Sequence, residues 1–272
     1  MRQLFTSYLK SAMLTLALGT GYTALGQTYT PVTLTGFNQD VIAEGTGSAL
    51  NLTTYDVDGS GTGYAFMSAN YVNPSGTSPT VTRPLPNNGT ITSLATATTG
   101  LTFQLGSYAA NNVLRVPATG STGTGTGVGP DAGTVAFASS TAASTVYVLV
   151  TGGGGAIASG VRVTFTFSDG TTQVFAGQSI SDWFSAGTAT VAYQGFGRVA
   201  RTAASAIDNA SATTPNLYQL SFAMAAGNTT KPISSITFGK TTTAGGVIDV
   251  FAVSVVPTTA GVTACSGTPT AG

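Results

Sequence analysis

The 272-residue sequence contains no histidine and one cysteine, Cys265. Without histidine, Ser-His-Asp and Cys-His catalysis, histidine zinc sites and imidazole acid–base chemistry are excluded. One cysteine cannot form a disulfide within the chain or a thiolate metal site. Glycoside hydrolysis would need two carboxyl groups across a bond. The chain offers one glutamate, Glu44, and eight aspartates, several in turns, and no motif selects a pair such as Glu44 with Asp182. We therefore expect no enzyme.

Charge is also scarce, since Asp, Glu, Lys and Arg together make up 7% of the chain. Nine basic residues balance nine acidic residues, and two of the basic ones, Arg2 and Lys10, stand at the amino terminus. Nucleic acids and anionic membranes bind proteins through concentrated basic charge. We expect neither of them as a partner.

The amino terminus has the pattern of a secretory signal peptide. Arg2 and Lys10 precede a stretch of small and aliphatic residues, SAMLTLALGTGYTALG, that is too short and too interrupted to span a bilayer. The pattern predicts a signal peptide over residues 1–26. No later run reaches transmembrane length, so we expect a secreted, extracellular or cell-surface protein without membrane insertion of the mature chain.

A β-hairpin is the clearest local prediction. Apolar residues occupy alternate positions from Val161 to Phe167, as in a strand with one face on a core. Asp169-Gly170 then indicates a two-residue turn. In that register Phe165 lies opposite Val174, and both would face the core.

The rest of the chain predicts more strands, and no clear helix pattern follows residue 26. TVYVLVTG (145–152) and GVIDVFAVSVV (246–256) are nearly continuous apolar runs, typical of central strands covered on both faces. Other short strands follow at a spacing of roughly 8 to 20 residues. The pattern predicts an all-β fold, an antiparallel β-sandwich of jelly-roll type, as one domain over residues 27–257. Residues 258–272 do not show the alternation of apolar and polar residues that is typical of strands, and we expect them to form a linker or the start of another module.

Strand and turn phrases across residues 31–256 carry a family resemblance: PVTLTGFNQDVIAEG, YAF, NNVLRV, VYVLVTGG, VTFTFSDGTTQVFAG, DWF, GFGRV and VIDVFAVSVV. The chain resembles β-sandwich modules of large secreted and surface proteins of Bacteroidota, which are similar to galactose-binding and carbohydrate-binding-module jelly rolls. The tail ACSGTPTAG is similar to the start of immunoglobulin-like repeats, which implies a partner for Cys265 beyond residue 272. Such proteins usually end in a type IX secretion sorting domain; none is present in these residues, so the export route stays open.

The only tryptophan lies in a candidate sugar site. Carbohydrate sites pair an aromatic ring with polar side chains that hold hydroxyl groups. Asp182 and Trp183 stand between predicted strands, followed by Tyr193 and Arg198. Alternatively, Trp183 fills one end of the sandwich core and Asp182 accepts backbone hydrogen bonds, because tryptophan is mostly buried in proteins.

The segment YDVDGSGTGYAF (55–66) matches the first half of an EF-hand loop. Asp56, Asp58 and Ser60 occupy its first, third and fifth positions, but position twelve is Met67 instead of glutamate, which rejects an EF-hand. A structural calcium ion held by Asp56, Asp58 and Ser60 is one alternative, and an unliganded acidic turn is the other. We expect no other cofactor.

Three functions follow from these patterns. The first is a non-catalytic secreted or cell-surface module, structural, adhesive or glycan-binding, with a glycan or a surface or matrix protein as partner. The second is an extracellular structural subunit that self-associates through edge strands. The third is a carbohydrate-active enzyme, which would require two carboxylates in one concave pocket.

Overall fold

The computed structural model describes residues 27–118, 123–185, 187–209 and 211–258. Within these ranges the fold is nearly all β, as the alternating pattern predicts. The predicted signal peptide and the segment around Cys265 lie outside the described residues. No helix in the described part of the chain is long and apolar enough to cross a membrane.

Sixteen strands and four short helical segments are present in the described ranges. The strands are β1 (Thr30–Val32), β2 (Leu34–Thr35), β3 (Ile42–Ala43), β4 (Tyr64–Met67), β5 (Thr90–Thr92), β6 (Thr102–Gln104), β7 (Leu114–Val116), β8 (Ala132–Gly153), β9 (Ile157–Phe167), β10 (Thr172–Ile180), β11 (Val191–Gln194), β12 (Arg198–Ala200), β13 (Ile207–Asp208), β14 (Asn216–Ala223), β15 (Pro232–Lys240) and β16 (Val247–Pro257). The helix α1 spans Ala49–Leu52, and 3₁₀ turns span Thr96–Thr98, Gly129–Asp131 and Ala226–Asn228.

Two antiparallel sheets form the sandwich, and the long strand β8 contributes to both. Sheet A contains β1 and β7 on one side of β16, then the second half of β8, β14 and β11. Sheet B runs β2, the first half of β8, β15, β9 and β10. The chain therefore passes from one sheet to the other within a single strand.

The sandwich core lies between the two sheets. Val146, Val148 and Val150 project from β8 in sheet A, and Val163 and Phe165 project from β9 in sheet B; all five are buried. This side-chain alternation is the one predicted for β9. Burial of these aliphatic and aromatic groups is the main term that holds the sheets together.

A second layer covers the other face of sheet A. Leu149 and Phe251 on that face pack with Phe66, Phe103 and Trp183 from the covering segments. The covering layer contains a four-stranded sheet, β13-β12-β4-β3, and the pair β5-β6. Leu149, Phe251, Phe66, Phe103 and Trp183 belong to the outer core that lies between this layer and sheet A. Because sheet A is covered on both faces, the second half of β8 (residues 145–152) and β16 are nearly continuous apolar runs, as predicted.

The β9–β10 hairpin differs from its predicted register by one residue. Phe167 N–H donates to Thr171 O at 2.9 Å, which makes Ser168–Gly170 a three-residue loop. Gly170, at φ +80°, supplies the left-handed residue of that loop. Phe165 therefore lies opposite Gln173, and Val174 is 41% exposed. The predicted Phe165–Val174 pair is wrong because the loop has one more residue than the two-residue turn assumed.

Candidate functional site

An open cleft of about 630 Å³ lies in the covering layer. Its walls come from the segments around β3, α1 and the loop that carries Tyr108. Two carboxylates, Asp40 and Glu44, line it together with the amides of Asn51 and Asn70. The volume lies within the ~300–1,000 Å³ range of small-molecule sites.

A second cavity of about 190 Å³ continues this cleft. The two cavities share Glu44 and Tyr108 in their linings. The second adds the exposed polar side chains of Asn87, Asn88 and Gln104. No lysine or arginine is among the described residues that line either cavity, so the combined surface, here called the polar cleft, is acidic and rich in amides.

Asp40 is held rigidly at the inner wall of the polar cleft. Its Oδ1 accepts the N–H of Ile42 at 3.0 Å and the Nδ2–H of Asn112 at 2.5 Å. The side-chain carbonyl of Asn112 accepts the N–H of Val41 at 3.1 Å, so one amide joins this wall to the loop before β7. Burial raises the pKa of Asp40 to about 6, the two hydrogen bonds oppose that rise, and the charge of Glu44 adds to it.

Glu44 and Asn51 present unused polar atoms to the polar cleft. Among the described residues, neither side chain has a hydrogen-bond or ion-pair partner, and both are accessible to solvent. Tyr108 differs: its hydroxyl donates to Pro86 O at 2.8 Å, and its ring forms part of the wall. The polar cleft therefore combines a fixed wall with free carboxylate and amide groups that can accept and donate hydrogen bonds.

The predicted sugar platform lies in the outer core. Trp183 is 1% exposed, and its indole N–H donates to Asp58 Oδ1 at 2.6 Å. Asp182 accepts backbone N–H groups from Phe184 at 2.8 Å and from Gly155 at 2.9 Å. This is the arrangement expected if tryptophan fills the core, and it leaves no ring face of Trp183 open for stacking on a ligand.

The other two candidates are near the same core. Tyr193 is 7% exposed and donates its hydroxyl hydrogen bond to Pro84 O at 2.8 Å. Arg198 pairs with Asp208 at 2.8 Å, and its guanidinium carbon lies 3.6 Å from the ring centroid of Phe184. The structure brings Arg198 to within 5.4 Å of the Trp183 ring, but as a packing contact at the side of the core.

The acidic loop at 56–63 closes on itself. Asp56 is buried, and its carboxylate accepts Ser60 N–H at 2.9 Å, Ser60 Oγ–H at 2.6 Å and Gly63 N–H at 2.6 Å. Asp58 uses Oδ1 for Trp183 and for Gly154 N–H at 3.0 Å. The loop thus joins the covering layer to the end of β8.

This donor set fits a hydrogen-bonded turn better than a calcium cage. Calcium takes six to eight oxygen ligands, whereas both oxygens of Asp56 already accept hydrogen bonds. The guanidinium of Arg115 lies 3.8 Å from Asp56 Oδ1 and already supplies a positive charge. No group of three or more His, Cys, Asp or Glu within the described ranges is arranged to hold a metal. Of the two alternatives for Asp56, Asp58 and Ser60, we therefore favour the unliganded turn, and a calcium titration decides between them.

Arg115 is the centre of a fully buried charge cluster that no sequence pattern indicates. It contacts Asp249 at 3.1 Å and donates to the backbone carbonyl of Asp56. Burial raises the pKa of Asp249 to about 7, against the opposing effect of the Arg115 charge. One guanidinium nitrogen, Nη1, has no hydrogen-bond partner among the described residues. The cluster ties the acidic loop to sheet A.

Comparisons of the chain with protein-family models, with curated proteins and with solved structures find no match. Function is therefore inferred from the residues and geometry of this chain.

The sequence patterns do not reveal the polar cleft. Its lining comes from residues 40–54, 70, 87–89 and 104–109, which are separated in the chain and belong mostly to loops. The sequence offers Asp182 as one carboxylate to pair with Glu44, whereas the structure places Glu44 in a cleft with Asp40. One signal was available: Glu44 is the only glutamate, and asparagines are frequent in the same half of the chain.

Proposed function

We propose that this protein is a non-catalytic secreted or cell-surface module that binds glycan in the polar cleft. The observation that carries the proposal is the convergence of Glu44, Asn51 and Asn70 with the fixed carboxylate of Asp40 in one open cavity. Carboxylates and amides bind sugar hydroxyls well, because each hydroxyl both donates and accepts. A secreted location follows from the predicted signal peptide. Jelly-roll connectivity and kinship with Bacteroidota surface modules belong to the same proposal.

The charge of the polar cleft defines the glycan class. Two carboxylates, with no lysine or arginine among the described lining residues, favour a neutral glycan or one that carries amino groups. An acidic polysaccharide would place its carboxylates beside Asp40 and Glu44 and be repelled.

A glycan array that contains neutral, amino-sugar and uronic-acid polysaccharides tests this proposal. We expect binding to neutral or amino glycans, weakened at least about tenfold by Glu44→Gln and by Asn51→Ala, which loses hydrogen bonds of about 1.4 kcal/mol or more. Asn111→Ala is the matched control, since Asn111 is exposed and outside the cleft. No binding to any member, or equal binding by all variants, would overturn the proposal.

The same pair of carboxylates favours hydrolysis of the bound glycan as a second candidate. Asp40, with its raised pKa, would act as the acid and Glu44 as the base. Binding without turnover is preferred because Asp40 is only 8% exposed and its Oδ1 is occupied by two donors. Release of reducing ends from a bound polysaccharide, abolished by Glu44→Gln, would select the enzyme instead.

A further inference from the structure

The two large sheets end in strands that are mostly protected against pairing with another chain. β2 has two residues, and β1 has three, including Pro31. The edge of β7 is covered by Asn38, whose side chain accepts the N–H of Arg115 at 2.8 Å and donates to its carbonyl at 3.0 Å. β11 is covered where Ala192 O accepts the N–H of Leu94 at 2.9 Å. Short strands, proline and covering segments are the usual protections of sheet edges.

The remaining edge, β10, lacks these protections. It has nine residues, TQVFAGQSI, without charge or proline. Phe167 N–H donates to Thr171 O, so residues 171, 173 and 175 form the backbone hydrogen bonds with β9. The backbone N–H and C=O groups of Thr172 and Val174, between them, therefore point away from the sheet. Within the described residues no backbone group pairs with those of Thr172 and Val174.

We propose that two copies of this chain associate by antiparallel pairing of β10, with Val174 on the two-fold axis. This register lets Val174 exchange both backbone hydrogen bonds with Val174 of the second copy. The exposed Val174 side chains then cover one another, and Thr172 lies opposite Ala176. Two five-stranded B sheets become one continuous sheet of ten strands.

The edge itself argues for a second copy as the occupant. A strand without charge offers no complementarity to a charged partner, but it is self-complementary under two-fold symmetry. Its register with β9 shifts after Phe175, where Gly177 has φ +67°, and this irregularity limits the paired segment to about Thr172–Ala176. Since the other sheet edges are protected, each copy can pair through β10 only, and the association stops at a dimer and does not continue into a fibre. A short interface predicts a weak, concentration-dependent dimer.

Sedimentation velocity of the purified protein over about 1 μM to 1 mM measures this association. We expect a monomer–dimer equilibrium in that range, and at least a tenfold weaker dimer for Val174→Lys, which opposes two charges at the axis. The matched control is Val128→Lys, which changes a 61% exposed valine outside β10 and should leave the equilibrium unchanged.

Opposite charges placed at residue 174 of the two copies test whether Val174 lies opposite Val174 in the dimer. Val174→Asp alone should be monomeric, and mixing it with Val174→Lys should restore a dimer of the two variants. A wild-type protein that stays monomeric throughout, or a dimer equally strong in Val174→Lys, would overturn the proposal. The outcome is independent of glycan binding, because no residue of β10 lines the polar cleft.

Discussion

Arg115 shows at the scale of one residue how the covering layer is attached to sheet A. Its guanidinium is fully buried between Asp249 on β16 and Asp56 in the acidic loop. Burial raises the pKa of Asp249, and the charge of Arg115 opposes that rise, so the guanidinium is the group that favours the ionised form of this buried acid. Removing the base would leave buried carboxylates without a cation.

We therefore predict that Arg115→Met lowers the free energy of unfolding by about 3–5 kcal/mol at pH 7. Urea unfolding followed by the fluorescence of the single tryptophan measures the loss. Arg162→Met, at an exposed position, should change stability by less than about 0.5 kcal/mol. Adding Asp249→Asn to Arg115→Met should recover part of the loss; no recovery would contradict the charge explanation.

Asp40 predicts a pH dependence with a definite sign. An acid whose pKa rises on folding, here from 3.8 to about 6, stabilises the fold below pH 4 relative to neutral pH. That contribution is lost as the pH rises from about 4 through about 6. Asp40→Asn keeps an oxygen to accept from Ile42 and Asn112 but cannot ionise.

The Asp40→Asn variant should therefore gain about 1–3 kcal/mol relative to wild type between pH 4 and pH 7.5. Urea unfolding of both proteins at the two pH values gives this difference directly. Asn111→Asp is a useful control, because an exposed acid should show little change over the same interval. A difference between wild type and Asp40→Asn that does not change with pH would contradict the assigned environment.

At the scale of single elements, the β9–β10 hairpin shows which part of a strand prediction is reliable. The alternation in β9 predicts its core face correctly, because only one face of that strand is apolar. The sequence of β10 has no such contrast: Gln173 and Phe175 share one face, and Thr172 and Val174 share the other. Asp169-Gly170 suits both two-residue and three-residue loops, so the sequence cannot select the register.

The three-residue loop makes a prediction about Gly170. Its φ is +80°, and no atom lies within 4 Å of the point where an alanine Cβ would be. Gly170→Ala should therefore lower the free energy of unfolding by about 1–2 kcal/mol, because an alanine is strained in the left-handed backbone conformation but meets no steric clash. Gly227→Ala, where the space is also open and φ is not left-handed, should change stability by less than about 0.5 kcal/mol. Thermal unfolding of both variants compares them, and equal effects would be inconsistent with this loop.

At the scale of the whole molecule, the sandwich was predictable and the polar cleft was not. β9 is visible in the sequence because its apolar side chains alternate with a period of two residues, and β16 and the second half of β8 are visible as nearly continuous apolar runs. The covering layer is built from strands of two to four residues and long loops, which carry no period. Asp40, Glu44 and Asn70 meet only because that layer folds over sheet A.

The acidic loop predicts the response to calcium. Because its carboxylates are satisfied by backbone donors, Trp183 and Arg115, we expect the melting temperature to differ by less than about 1 °C between chelator and excess calcium. A calcium ion that bound only the folded state would raise the free energy of unfolding by about 2.7 kcal/mol at a calcium concentration of 100 times its Kd. A rise of several degrees, lost in Asp58→Asn, would show that the loop is a calcium site.

Glycan binding in the polar cleft is the central claim, and calorimetric titration tests it most directly. The purified protein is titrated with oligosaccharides of glucose, mannose, glucosamine and galacturonic acid, beside Glu44→Gln, Asn51→Ala and the control Asn111→Ala. We predict a micromolar to millimolar Kd for a neutral or amino sugar, no binding of the uronic acid, and at least tenfold weaker binding by the two cleft variants only. Absence of heat with every sugar, or equal affinity in Glu44→Gln and wild type, would contradict it.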